Sequence, residues 1–290
     1  MRLDVFLTNR YKGEHTRSQI TNAIKNGKVT VDEEIITKCG YEVDDCDEII
    51  CDMETQPTED RAEDIPLDII YQDQYLMVIN KPRGMVVHPG AGNKMGTLLN
   101  ALLWVVRDTQ HTTSCGLVRA GIVHRLDKNT AGLMVVAKDA KTQSQLSDML
   151  EKHTIARNYI GIVDGVMQGK GTIDKNIIRD PKHRTLFTTC DKGGRRAITH
   201  FEAVENFAKH TVVRFKLETG RTHQIRVHCK AICHPLVGDP EYNPSCKLYS
   251  GAQLLESISI AFTHPRTGKQ ISAEIPTTQL FDDVRKRLTK

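Results

Sequence analysis

The feature that most constrains this chain is an acidic interruption. Residues 54–66, ETQPTEDRAEDIP, carry five acids against one arginine, include Pro57 and Pro66, and show no apolar period. A stretch of this kind has nothing to bury and reads as a linker. It predicts two bodies, a small unit over 1–53 and a large one over 67–290. Within a total of 290 residues, the larger body is long enough to bury a core without staples. Charge divides the same way. Residues 1–53 hold 7 Lys/Arg and 11 Asp/Glu, whereas residues 67–290 hold 32 and 20, so the overall net charge of +4 conceals a large unit at +12. A body that basic is suited to a polyanion partner or to a solvated surface, and charge alone does not separate the two.

Several classes drop out early. No apolar run approaches the ~20 residues that cross a bilayer, and Met1-Arg2-Leu3-Asp4 lacks the charged, apolar and small regions of a secretory signal. The expected address is cytoplasmic, with no membrane partner. The 8 cysteines include no Cys-x-x-Cys pair, so they read as small buried hydrophobes. His228-Cys229 and Cys233-His234 fit one helix, but an i, i+5 offset splays them around it. No metal is expected.

The small unit has its own logic. Leu3, Phe6 and Leu7 recur at helical spacing, and Ile20 and Ile24 stripe a second helix capped by Thr16 or Ser18 and ended by Gly27. Val29-Thr30-Val31 alternates as a strand. Gly40 and Asp44-Asp45 bracket further short strands, the last at Ile49-Ile50. Its cations, among them Arg17 and Lys25, fall early and its acids late. In the large unit, strands are expected at 76–79, 133–137, 159–163, 199–204 and 212–217, and helices at 96–107, 140–152 and 279–290. They do not strictly alternate. That order predicts an α+β fold with a mixed, mostly antiparallel sheet and flanking helices.

Two stretches carry chemistry. Gly121-Ile122-Val123-His124-Arg125-Leu126-Asp127-Lys128 puts His, Arg, Asp and Lys into one loop before a buried strand. Loops on rigid scaffolds are where reactive groups tend to sit. Glu218-Thr219-Gly220-Arg221-Thr222-His223-Gln224-Ile225-Arg226-Val227-His228 runs from a strand end into a helix that Thr222 is suited to cap. Arg226, one turn inside, needs a carboxylate partner, and Asp127 is the natural candidate. A cation beside a carboxylate favours its charged form.

Together these stretches resemble the RluA-type pseudouridine synthases. His124-Arg125-Leu126-Asp127 matches the family's catalytic loop. Asn158-Tyr159, following Arg157, matches its tyrosine segment, and Gly220 to His228 its third motif, followed by His234-Pro235-Leu236-Val237-Gly238-Asp239. Val78 to Gly84 and Val87-His88-Pro89-Gly90 match its opening. The likeness covers residues 67–275 in order. The first unit resembles the S4 RNA-binding domain through Arg2-Leu3-Asp4, Thr16-Arg17-Ser18-Gln19, Ile24-Lys25-Asn26-Gly27, Val29-Thr30-Val31 and Asp47-Glu48-Ile49. With the His-Pro-Gly-Ala-Gly stretch, this makes the chain most similar to the family's large-subunit ribosomal RNA D-type branch.

The resemblance implies a fold, a reaction and a set of roles. A uridine's glycosidic bond is cut, the base turns, and it is rejoined through carbon, without cofactor or metal. Asp127 is the implied nucleophile, whether on the sugar or on the base. Arg226 pairs with it. Tyr159 stacks on the uracil and assists proton removal. Ile225, Leu126 and His223 line the base pocket, with His124 and His223 as scaffold hydrogen-bonders. Arg125 fills the space left by the extruded uridine, and Lys81 and His88 shape the rim. Arg17, Lys25 and Arg221 contact RNA. The implied partner is ribosomal RNA or a large-subunit precursor, bound by a monomer with no required protein partner. Transfer RNA, or RNA binding without catalysis, are the alternatives. A base-releasing glycosidase is a third, although it wants two neighbouring carboxylates and the motif offers only Asp127. One departure stands out: where the family carries His-Ala, this chain has Leu255-Glu256.

Overall fold

The computed structural model describes residues 1–11, 17–44, 47–51, 61–90, 92–106, 118–183 and 185–288, and the counts below are of these. The chain forms two compact units, Met1–Asp60 and Arg61–Lys290, dividing inside the acidic stretch. In the second unit, Glu63 N–H donates to Asn100 O at 3.0 Å, and the Asn100 amide donates to Arg61 O at 2.7 Å.

The first unit contains helices α1 (Leu3–Arg10) and α2 (Arg17–Lys25) and strands β1 (Val29–Val31), β2 (Glu34–Ile35) and β3 (Ile49–Cys51), in the sheet order β2-β1-β3. The apolar stripes meet in one core of Leu3, Leu7, Ile20, Ile24, Val29 and Val31. Gly27, at φ +70°, ends α2, and Lys28 N–H closes back onto Ala23 O. Ser18 lies inside α2 and so does not cap it; Thr16 falls outside the described residues. Asp4, buried at the start of α1, binds Arg2 at 3.0 Å and Arg17 at 3.2 Å. Burial alone would raise its pKa, but those two arginines hold the carboxyl below its ordinary value.

The second unit runs through β4 (Asp68–Gln72), β5 (Leu76–Lys81), α3 (Leu98–Val106), a 3-10 turn (Val118–Gly121), β6 (Ala131–Ala137), α4 (Ala140–Glu151), β7 (Ala156–Asp164), β8 (Lys170–Asp174), β9 (Asn176–Arg179) and β10 (Phe187–Cys190). It continues with β11 (Ile198–Asn206), β12 (His210–Leu217), α5 (Gln224–Ala231), β13 (Leu255–Thr263), β14 (Gln270–Glu274) and α6 (Gln279–Lys286). Nine strands form one sheet in the order β4-β5-β6-β13-β7-β12-β11-β8, with β14 beside β13. Among the described residues only β6 and β13 run parallel, so the sheet is mostly antiparallel, as the order of elements predicts. A separate hairpin, β9-β10, stands off it.

Strands β5 and β6 read as unbroken apolar runs because both faces are covered. Along β5, Met77 and Ile79 join a core with Leu98 and Leu102 of α3, while Leu76 and Val78 join another with Leu146 of α4. Further along, Ile162 of β7 and Val212 of β12 pack with Phe281 and Val284 of α6. Period-2 alternation thus sends neighbours to opposite layers. The parallel crossing of β6 and β13 is close: at Gly132, φ +117°, a Cβ would stand 2.2 Å from Ser257 O. Gly132→Ala is therefore expected to cost about 3 kcal/mol or more, read as a lowered urea midpoint.

Helix α5 departs from expectation at both ends. Its N-cap is His223 rather than Thr222, held in the left-handed region at φ 56° with no side-chain cap. The helix stops at Ala231, so Cys233 and His234 lie beyond it and do not share its surface with His228 and Cys229.

Candidate active site

A cleft of about 810 Å³ opens between the 121–130 loop, the middle of the sheet and the first turn of α5. Ten of the thirteen residues named from the sequence line it: His88, His124, Arg125, Leu126, Asp127, Tyr159, Arg221, His223, Ile225 and Arg226. Arg17 and Lys25 sit in the other unit, exposed on α2.

Asp127 is placed by the start of the same unit. Lys81 is fully buried and donates to the carbonyls of Pro82 (2.9 Å), Met85 (2.9 Å) and Lys128 (3.3 Å). Arg83 donates to Asn129 O and Gln253 O, and Gly84 N–H to Lys128 O. Two cations thus grip the carbonyls just after Asp127. Lys81, expected at the rim, lies beneath the loop, because only there can one ammonium reach three carbonyls. Burial pulls its pKa down to about 7, opposed by the nearby Asp127 charge. Lys81→Met leaves the Pro82 and Met85 carbonyls without a donor and Lys128 O with Gly84 N–H alone, at about 1–3 kcal/mol for a buried unsatisfied group. It is expected to lower thermal stability and slow turnover together.

Arg226 does bond Asp127, Nη1 to Oδ2 at 3.2 Å, but its strongest partners are elsewhere. Asp239, fully buried, takes Nε and Nη2 in a two-pronged pair at 2.7 and 2.8 Å, and Glu241 takes Nη2 at 2.6 Å. Asp239 Oδ1 also accepts the N–H groups of Glu241 and Tyr242, and the Tyr242 ring lies 4.9 Å from the guanidinium carbon. Desolvation opposes the charge on Arg226, yet these carboxylates raise its pKa above the ordinary value. Asp239, Glu241 and Tyr242 were missed as site residues. The one available signal was the ordered stretch His234 to Asp239.

His223 stands between these groups. Its Nε2 is 3.9 Å from Asp127 Oδ1, beyond hydrogen-bond reach, and its Nδ1 is 2.9 Å from the Tyr242 hydroxyl. Phe187 N–H donates into that hydroxyl oxygen, leaving the phenol hydrogen for Nδ1. Burial pushes Tyr242 up to about 12, so the phenol keeps its proton, and burial lowers His223. With Nδ1 accepting from the phenol, the ring's N–H lies on Nε2, facing the carboxylate.

Tyr159 and Ile225 are buried walls of the cleft, and Leu126 joins the core behind it. Burial raises the Tyr159 phenol, which does not favour its acting as a free base. Arg125 is exposed at the mouth. Arg221 lies half-exposed, its Nε donating to Arg196 O. His124 accepts Val135 N–H at Nε2, a scaffold role. His88 is on the lining. The departure at Glu256 is matched locally: this buried carboxylate binds Arg83 at 2.9 Å and takes Thr278 N–H at the start of α6. Among the described residues, no three His, Cys, Asp or Glu side chains are gathered to hold a metal.

A family model described as RNA pseudouridylate synthase matches residues 75–231, spanning both motif stretches of the cleft. The chain belongs to that family. It is an RNA pseudouridine synthase, and residues 1–49 match the S4 domain model. The synthase is 40% identical to an uncharacterised RNA pseudouridine synthase of Bacillus subtilis, YlyB, over 98% of this chain and 94% of that one. It is 41% identical to the ribosomal large subunit pseudouridine synthase D of Vibrio parahaemolyticus, over 95% and 87% of the two chains. Among solved structures, human RNA pseudouridylate synthase domain containing 4 has a TM-score of 0.60 at 20% identity, covering 76% of the synthase and 92% of that chain. That likeness speaks to the fold.

Proposed function

We propose that the synthase converts uridine to pseudouridine in large-subunit ribosomal RNA, with Asp127 as the nucleophile. One observation carries the reading. Asp127 faces the cleft with Oδ2 held by Arg226 and, among the described residues, no hydrogen bond to Oδ1. The relatives named ribosomal large subunit pseudouridine synthase D support the substrate class.

The reaction is an isomerisation, so its atoms balance without a co-reactant. The N1–C1′ bond breaks, the base turns, C5–C1′ forms, the C5 proton leaves and N1 gains a proton. Asp127 attacks the sugar or the base to start it. Tyr159 and Ile225 give the uracil two apolar walls. Extruding a uridine costs a few kcal/mol, least in loops. Arg125, exposed on the cleft lining, is suited to take the vacated position, and Arg221 to hold phosphate. Arg17 and Lys25 are exposed cations of the S4 unit, suited to structured RNA. The reading is of a monomer in the cytoplasm that needs no protein partner.

Transcripts of large-subunit RNA, small-subunit RNA and transfer RNA carrying 5-tritiated uridine separate the substrate classes. Tritium release from the large-subunit transcript is expected. Release from transfer RNA alone would replace the substrate, and release from none would remove the reading.

A further inference from the structure

Arg157 is a buried cation with no part in the proposed chemistry. It precedes Tyr159 by two residues on β7, so both side chains leave the same face of the strand, and both line the cleft. The residue is 6% exposed. Among the described residues it makes no ion pair or hydrogen bond, and its Nε is shut off from solvent without a partner. The carboxylates on the cleft do not serve it: Asp127 is held by Arg226, and Glu151 is exposed.

A second orphan lies nearby. His124 accepts Val135 N–H at Nε2, so the neutral ring carries its hydrogen on Nδ1, and that atom too is buried without an acceptor. Burial first, and then the Arg157 charge, pull the His124 pKa down to about 3, which keeps the ring a neutral donor. Buried donors without acceptors are costly, and an unpaired buried cation more so. Gly220 adds to the arrangement, since a Cβ there would stand 2.9 Å from Arg157 Nη1. The glycine leaves the guanidinium its room.

We propose that the Arg157 guanidinium, on the cleft lining with the His124 ring, forms the seat for one backbone phosphate of the RNA, next to the target uridine. With Nε sealed and no carboxylate paired to it, the guanidinium can meet an anion only through its outer nitrogens, and RNA brings one. Two residues along a strand span ~6.6 Å, so the seat stands about one nucleotide's reach from the Tyr159 wall. This rests on the proposed RNA substrate and adds the atoms that grip it.

The test uses the whole chain, a large-subunit ribosomal RNA transcript, and Arg157→Met and Arg157→Lys. Affinity is measured across a salt series, and thermal unfolding without RNA. Loss of one phosphate contact is expected to flatten the slope of log Kd against log salt by about 0.7–0.9 in Arg157→Met, and Arg157→Lys is expected to keep it. Free Arg157→Met is expected to match or exceed the wild-type Tm, by up to about 2–4 °C, because an uncompensated cation has gone. A slope unchanged in Arg157→Met, or a lowered Tm, would overturn the seat. Both readouts stand whether or not tritium is released, so failure of the seat and failure of the proposed reaction are told apart.

Discussion

Asp127→Asn is expected to leave a folded protein that binds RNA and does not isomerise it. The amide has nearly the shape of the carboxylate, and its oxygen can still accept from Arg226 Nη1, the one hydrogen bond Asp127 makes there. Loop position is also independent of the carboxylate, because Lys81 and Arg83 grip the following carbonyls. What goes is the nucleophile. Single-turnover rates are expected to fall by about 10⁴-fold or more, with Kd for the transcript within about threefold of wild type, since one neutralised side chain makes no phosphate contact. A rate close to wild type would move the nucleophile away from Asp127.

Arg226→Met is expected to be the most damaging single change to stability within the cleft. It strips Asp239, a fully buried carboxylate, of both its guanidinium bonds and leaves it the N–H groups of Glu241 and Tyr242. Removing one partner of a buried pair costs about 3–5 kcal/mol, largely through the charge left behind. Urea unfolding should show a midpoint lowered to match. The double variant Arg226→Met/Asp239→Asn should recover much of that loss, because the amide oxygen still accepts the two N–H groups and no charge is stranded. If the double variant is as unstable as the two singles combined, the pair is not coupled.

Much of this site was legible in sequence. Asp127, Tyr159 and Arg226 stand where chemistry-bearing residue types crowd into short stretches, which cores and ordinary turns have no reason to contain. Strands β5 and β6 were legible because burial on both faces makes them unbroken apolar runs. The rest left weaker traces. Asp239 and Glu241 lie 13 and 15 residues beyond Arg226, in a segment without helical or strand period, where a lone acid looks like a turn former. Lys81 looked like a rim cation because nothing in KPRG announces three carbonyl acceptors. Strand β4 is a sheet edge with mostly exposed side chains, and the edge strand β8 turns only Gly171 and Ile173 inward, so neither shows an apolar alternation in sequence. β9 and β10 form a hairpin outside the main sheet. At α5, Thr222 is the better cap by residue type, but the chain turns through His223 in a left-handed conformation that also sets its ring beside Asp127 and Tyr242. Strain of this sort gathers at functional positions and carries no local signal.

The most direct measurement follows two products at once. Large-subunit transcript labelled with 5-tritiated uridine is incubated with wild type and with Asp127→Asn, and tritium in water and free uracil are both counted. Isomerisation predicts one tritium released per converted uridine by wild type, none by Asp127→Asn, and no free uracil from either. Free uracil from wild type would mean that the bond is cut and not rejoined, and equal release by the variant would take Asp127 out of the chemistry.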